Sequence, residues 1–271
     1  MFKKGDLHDI GHYRPICFLS VVYKFFTQVI LNRIDRTLDE GERCEQAGFR
    51  KGFSTMDHIH TLTRLIEVSR EYKRLLCLTF TDLEKAFDSI EIEAVMEALD
   101  SQGVPTQYIK ILRKLYKNFT TKISPFYNDI SVDIKRGVRQ GDTIPPKLFT
   151  GTLQNVMRTL EWDNMQMKID GRQIHHLRFA DDIVLVTSGI SRAERMLADF
   201  DKACGKIGVR LNLKKTMFMK NRSFVCPTHA QRNEYLRMLQ FVYLVEINMM
   251  NDLVPELSRR KRAASGAFKS I

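Results

Sequence analysis

The stretch that most constrains this chain is Phe179-Ala180-Asp181-Asp182-Ile183-Val184-Leu185-Val186, where two adjacent carboxylates sit between apolar, strand-forming residues. An ionised carboxylate at the end of a buried strand costs free energy unless something positive satisfies it. A second such place exists upstream. The compact run Leu75-Leu76-Cys77-Leu78-Thr79-Phe80-Thr81 reads as a buried strand and ends in Asp82. Hairpin geometry can bring the paired aspartates beside the end of that strand, so that three acids converge. Their repulsion then calls for cations, and hard oxygen ligands of this kind suit Mg²⁺. Two such ions roughly 3.5–4 Å apart can activate a hydroxyl nucleophile and stabilise a departing pyrophosphate. The plainer alternative is that these aspartates are turn or cap residues, as most are at strand ends.

Around these acids the pattern mixes helices and strands without strict alternation, which favours an α+β architecture over a doubly wound parallel sheet. Helical spacing of apolar residues predicts helices over 21–38, 55–72 (capped by Ser54 or Thr55), 107–118, 147–161 and 192–207. Asp88 with Glu91 predicts a capping box opening a helix over 92–99. Short strands are expected at 121–126, 130–134 and 183–187, and two more at 166–170 and 173–179, flanking the Asp170-Gly171 turn. Neither internal repeat nor Pro-rich linker marks a domain boundary.

Charge narrows the class of partner. Lys and Arg number 43 against 32 Asp and Glu, a formal net charge of +11. Residues 101–128 hold five basic residues and no acid, and 202–222 hold seven and no acid. Tyr108, Tyr116, Phe119 and Phe126 are interleaved with the first group, a combination that suits a polyanionic nucleic acid; a solvated basic face is the alternative. The five cysteines are widely spaced with no C-x-x-C, so neither a disulfide framework nor a zinc knuckle is supported. His58, His60 and the pair His175-His176 lack partners at zinc spacing and read as surface or packing residues. The longest apolar stretch, 16–31, is interrupted by Lys24 and Gln28, so no membrane partner is expected. The first residues form no apolar export signal, and an intracellular setting follows as the expectation.

The ordered motifs then point to a family. Phe179-Ala180-Asp181-Asp182 resembles the F-A-D-D box of reverse transcriptases, and Asp82-Leu83-Glu84-Lys85-Ala86-Phe87-Asp88 resembles the D-x-x-K-A-F-D element of non-LTR retrotransposon enzymes. Arg139-Gln140-Gly141-Asp142 with Pro146-Lys147-Leu148-Phe149 is similar to the R-Q-G-x-x-x-S-P-x-L-F turn and helix. Tyr13-Arg14-Pro15-Ile16 and Gln46-Ala47-Gly48-Phe49-Arg50 resemble its fingers motifs, and Gly208-Val209-Arg210-Leu211-Asn212 with Lys215-Thr216 the element after the catalytic hairpin. The set covers nearly the whole chain, with wording nearest the RTE-type LINE elements.

That resemblance implies a right-hand polymerase: partial fingers over 1–74, a ferredoxin-like antiparallel palm over 75–222 with a fingers insertion around 101–147, and a primer-grip region opening a truncated thumb over 223–271. It implies RNA-directed DNA synthesis, with an RNA template, a DNA primer and dNTPs as partners, and Mg²⁺ as cofactor in two sites, Mn²⁺ being the substitute. Asp82 and Asp181 would be the principal metal ligands with Leu83 beside them, and Asp182 would complete the catalytic set. Arg14, Lys24, Phe87, Gln140 and Lys215 would meet the nucleotide, Phe87 as a steric gate against the ribose 2′-hydroxyl and Lys215 as a proton donor to pyrophosphate. Arg50, Lys51, Arg139 and Tyr243 would meet nucleic acid. Each has an ordinary alternative as a core, turn or solvated residue.

Two departures from the family pattern matter. Val245 stands where Gly is usual after Tyr243-Leu244, at a position where Gly allows a positive φ. Pro145 stands where Ser is usual, which removes a side-chain helix cap at a cost of about 1 kcal/mol. The short span after Val245, and a start close to the first fingers motif, lead to the expectation of a truncated element copy. The rival functions are therefore a catalytically silent nucleic-acid-binding remnant and, opposed by Phe87, an RNA-dependent RNA polymerase.

Overall fold

The computed structural model describes residues 17–220, apart from 118, 124–129, 140, 161, 163–166 and 170–171. The chain forms two units, each assembled from several stretches of sequence.

The first unit comprises Met1–Arg43, Lys85–Thr159 and Cys204–Val209. Helix α1 spans Val21–Gly41 and is capped by the Ser20 hydroxyl, which accepts from the Tyr23 amide at 3.2 Å. Its inward positions Thr27, Ile30, Ile34 and Leu38 follow helical spacing. Then come a one-turn helix α3 (Ala86–Ser89), α4 (Ile92–Ser101), α5 (Thr106–Tyr116) and, after a hairpin, α6 (Pro145–Arg158). Helix α6 is buried along most of its length, from Leu148 and Phe149 to Val156 and Met157. Such a sequence has no solvated stripe because α1 and α4 both pack on it. The hairpin pairs β2 (Phe119–Ile123) with β3 (Ile130–Ile134).

The second unit comprises Cys44–Glu84, Leu160–Ala203 and Arg210–Ile271. Its centre is a five-stranded antiparallel sheet. Strand β1 (Cys77–Glu84) lies in the middle, with β7 (Asp182–Thr187) and then β6 (His176–Phe179) on one side. On its other side β9 (Met217–Lys220) pairs with the first half of β1, and β8 (Arg210–Leu211) with its end. A separate hairpin joins β4 (Met167–Ile169) and β5 (Arg172–Ile174). Alternate side chains of β1 and β7 (Leu78, Phe80, Val184, Val186) pack on Ile59, Leu62, Leu65 and Ile66 of α2 (Thr55–Glu71). The opposite face, with Ile183 and Leu185, is fully buried too, as are Ala193, Met196 and Phe200 of α7 (Ile190–Lys206). A strand covered on both faces reads as a continuous apolar run, as β1 and β7 do. The α+β expectation holds: helices back an antiparallel sheet.

Several boundaries differ, for identifiable reasons. β1 runs on through Asp82 and Leu83 to Glu84, because β8 supplies a partner for its end. Asp88 opens no capping box. Lys85 takes a left-handed φ of 45°, the chain enters α3 there, and Asp88 is already helical; α4 starts from Glu91 without a side-chain cap. Pro145 is not the cap of α6 but its first residue, where a missing N–H costs nothing, and the cap position falls to Ile144. The Ser54–Asp57 capping box of α2 is present in full. Asp170-Gly171 lies outside the described residues.

A three-aspartate candidate active site at one end of the sheet

The acids converge. β1 and β7 pair in a register that sets Thr81 opposite Ile183 and Asp82 opposite Asp182. β6 and β7 close at Phe179↔Asp182, leaving Ala180 and Asp181 as a two-residue turn. The first residue of such a turn needs a positive φ, and Ala180 has φ 60. For a residue with a Cβ that conformation costs about 1 kcal/mol, so the turn holds a small strain directly beside the acids.

The chain after α7 completes the site. Residues 210–220 pair with β1 at Leu83 and Glu84, break away opposite Thr81 and Asp82, and pair again from Phe80 back to Cys77. In the break the Asn212 amide donates to the Asp82 carbonyl at 2.8 Å, and Leu213–Lys215 make one 3-10 turn. The buried Thr81 and Thr216 hydroxyls bond to each other at 2.9 Å. This detour delivers the Lys215 ammonium to an Asp82 carboxylate oxygen at 2.5 Å. Asp82 is 14% exposed and Lys215 51%.

Burial, with the charges of Asp181 and then Asp82, pushes the Asp182 carboxyl up to about 7, and Lys215 offsets this only in part. Ionisation of Asp182 is therefore disfavoured in this setting. Among the described residues no three His, Cys, Asp or Glu side chains form a ready-made metal cage. Mg²⁺ does not require one, since it binds through one or two carboxylates, waters and substrate phosphates. The Asp82 and Asp181 carboxylates are hard oxygen donors of the kind that ion takes.

The remaining predicted residues divide between the units. Leu83, Arg50 and Lys51 belong to the second unit with the acids. Leu83 is buried, and the Arg50 guanidinium lies over the Phe53 ring at 4.4 Å, with Lys51 exposed beside it. Lys24, Phe87 and Arg139 belong to the first unit. Lys24 is exposed on α1, and Phe87 lies 4.6 Å from the Phe149 ring. Arg139 is only 9% exposed, enclosed by Phe119, Tyr23 and Tyr116, and donates to the Leu115 carbonyl at 2.6 Å. Little of it is left for a phosphate. Arg14, Gln140 and Tyr243 lie outside the described residues. His58 is buried, and His175 stacks on His176 near Trp162, as packing residues do. Sequence reasoning missed Gly48 and Ala180, whose signals were a glycine inside a motif and a Cβ-bearing residue in a hairpin turn.

The family model described as "Reverse transcriptase (RNA-dependent DNA polymerase)" matches residues 2–241. The chain belongs to the reverse transcriptase family. Among curated relatives, this reverse transcriptase domain is 25% identical to the Pol polyprotein of a type-1 R2 retrotransposable element of Nasonia vitripennis, over 98% of the chain and 29% of that protein. It is 26% identical to the "Probable RNA-directed DNA polymerase from transposon BS" of Drosophila melanogaster, over 76% of the chain and 23% of that protein. The chain thus spans under a third of the length of these relatives. Non-LTR membership follows; the RTE-type wording is finer than these matches. Among solved structures, apo telomerase from Candida tropicalis aligns with a TM-score of 0.56 at 14% identity, over 86% of this chain and 42% of that one, a likeness of fold.

Proposed function

We propose that this domain is a working nucleotidyltransferase that copies an RNA template into DNA by extending a primer with dNTPs. The observation that carries the reading is the Asp82–Asp182 pairing at the end of β1 and β7, with Asp181 in the adjoining turn. Polyanionic substrates fit the net charge of +11. The sheet and its flanking helices serve as the palm, and the first unit carries the fingers insertion.

Asp82 and Asp181 would hold the metal ions, with Leu83 lining the site and Asp182 supporting the pair. Bound Mg²⁺ supplies a polarised primer hydroxyl and charge compensation at the departing pyrophosphate. The side chains do the rest. The Lys215 ammonium, held at Asp82, hands a proton to the leaving group. Phe87 offers a planar edge against a 2′-hydroxyl, selecting deoxynucleotides. Arg14, Lys24 and Gln140 grip the incoming nucleotide, Arg50, Lys51 and Tyr243 contact the nucleic acid, and Arg139 acts through the loop it anchors. The setting is inside the cell, where RNA and dNTPs meet.

Primer extension on an RNA template with dNTPs and Mg²⁺ tests this. Extension by the wild type, lost in Asp181→Asn with RNA affinity intact, is the expected result. Equal RNA binding by both proteins with extension by neither rejects catalysis and leaves a nucleic-acid-binding remnant. Robust incorporation of rNTPs rejects the Phe87 gate.

A further inference from the structure

The turn that carries Asp181 is braced by a segment more than a hundred residues away in sequence. Glu45 accepts from the Arg178 amide at 2.8 Å, the Ala47 amide donates to the Arg178 carbonyl at 3.0 Å, and Gln46 makes a parallel bridge to Arg178. The segment therefore runs along the outer edge of β6 toward the turn. Gln46 is fully buried, and its side-chain amide donates to the Gly48 carbonyl at 3.0 Å, fixing the next residue. Gly48 then lies against the turn itself. A Cβ at this position would stand 2.5 Å from the Ala180 nitrogen, 3.1 Å from the Phe179 carbonyl carbon and 3.3 Å from the Ala180 Cα. All three are backbone atoms, so no side chain can swing aside.

The conformation of Gly48 does not itself demand glycine. Its φ is outside the left-handed region that Gly52, Gly103 and Gly137 occupy. Only the close approach does. Immediately beyond, Phe49 has φ 57 and Ala180 has φ 60, so two strained residues with Cβ atoms flank the one contact. Strain of this kind persists where the surroundings over-determine the backbone.

We propose that Gly48 is a positioning residue: its bare backbone seats against Ala180 and fixes the turn, and with it the Asp181 carboxylate. The activity arm of the test rests on the polymerase reading; the structural arm does not. In the full chain, Gly48→Ala raises amide hydrogen exchange about tenfold in peptides covering Phe179 to Ile183, while α2 and α5 keep wild-type protection. In primer extension the same variant lowers kcat about tenfold, with RNA affinity and dNTP KM within about twofold of wild type. Adding Ala180→Gly restores both readouts, because a residue without Cβ lets the turn back away at no conformational cost. Gly52→Ala is the control: at φ 83 it introduces strain into the same loop, but its Cβ meets nothing within 4 Å, and turn exchange stays at the wild-type level.

Unchanged turn exchange in Gly48→Ala, a rise spread equally over α2 and the sheet, or no recovery in the double variant each overturns the inference. If the wild type extends no primer, the polymerase reading fails while the exchange comparison still decides the role of Gly48.

Discussion

Two charged clusters in this molecule solve opposite problems. In the first unit, Lys147 is 10% exposed at the start of α6 and bonds Asp39 of α1, with Asp35 at 3.4 Å. Burial alone would lower its pKa. The Asp39 hydrogen bond and the charges of Asp39, Asp35 and Glu42 outweigh that and hold it above the ordinary lysine value. The cluster is closed: acids surround a cation and anchor two helices to each other. In the second unit, the half-exposed Lys215 bonds Asp82, and Asp182, facing the charges of Asp181 and Asp82, is driven toward its protonated form. A cation wrapped by the acids of a neighbouring helix serves cohesion; a carboxylate whose ionisation is opposed by burial and by neighbouring acids invites a cation that relieves it.

Neutralising an acid therefore acts differently in the two places. Asp82→Asn removes the proposed metal ligand and Lys215's partner together, and primer extension is expected to fall on the order of 10³-fold. The same change leaves stability in EDTA equal or higher, because it relieves repulsion among three carboxylates. A large loss of metal-free stability in this variant would mean that Asp82 is a structural ion-pair partner, and the contrast between the clusters would vanish.

Breaking the closed cluster gives the reverse profile. Lys147→Met keeps the length of the side chain and leaves Asp39 and Asp35 facing each other. These acids are 34% and 44% exposed, so solvent screens part of the cost, and urea denaturation should show a loss of about 1–2 kcal/mol. Unfolding at the wild-type urea midpoint would show the Lys147 pairs to be ornamental.

The difference between the clusters was only half legible in the sequence. The acids at strand ends were visible because strand periodicity and apolar flanks are local properties, and the pairing of β1 with β7 follows once each is recognised. Lys215 was assigned from its motif, but its seat on Asp82 depends on residues 212–216 leaving the sheet, which the adjacency of β8 and β9 on a single strand produces. Arg139 was assigned to nucleic acid from its motif; its enclosure by Tyr23, Tyr116 and Phe119 depends in part on α1, far back in the chain. Asp88 and Glu91 had the spacing of a capping box, yet the left-handed Lys85 had already started a helix. For Lys215 and Arg139 the missing information lay in neighbours distant in sequence; for Asp88 it lay in the local backbone conformation at Lys85.

The smallest effect is the most specific to the open cluster. Asp182 has a folded-state carboxyl pKa of about 7 against 3.8 for the ordinary group, so the folded chain binds this proton more tightly than the unfolded chain. Below about pH 3.8 both states are protonated and the group contributes no difference. As pH rises from there to 7 the unfolded chain ionises first and the folded state loses ground; above 7 the penalty is complete. Melting temperatures in EDTA should thus decline across this window by a few degrees more in the wild type than in Asp182→Asn. Mg²⁺ added at pH 8 should recover part of the difference in the wild type, because a cation favours the ionised carboxylates that burial and repulsion disfavour. Parallel pH profiles for the two proteins would show that the Asp182 carboxyl ionises as freely as in the unfolded chain, and that the site needs no added cation.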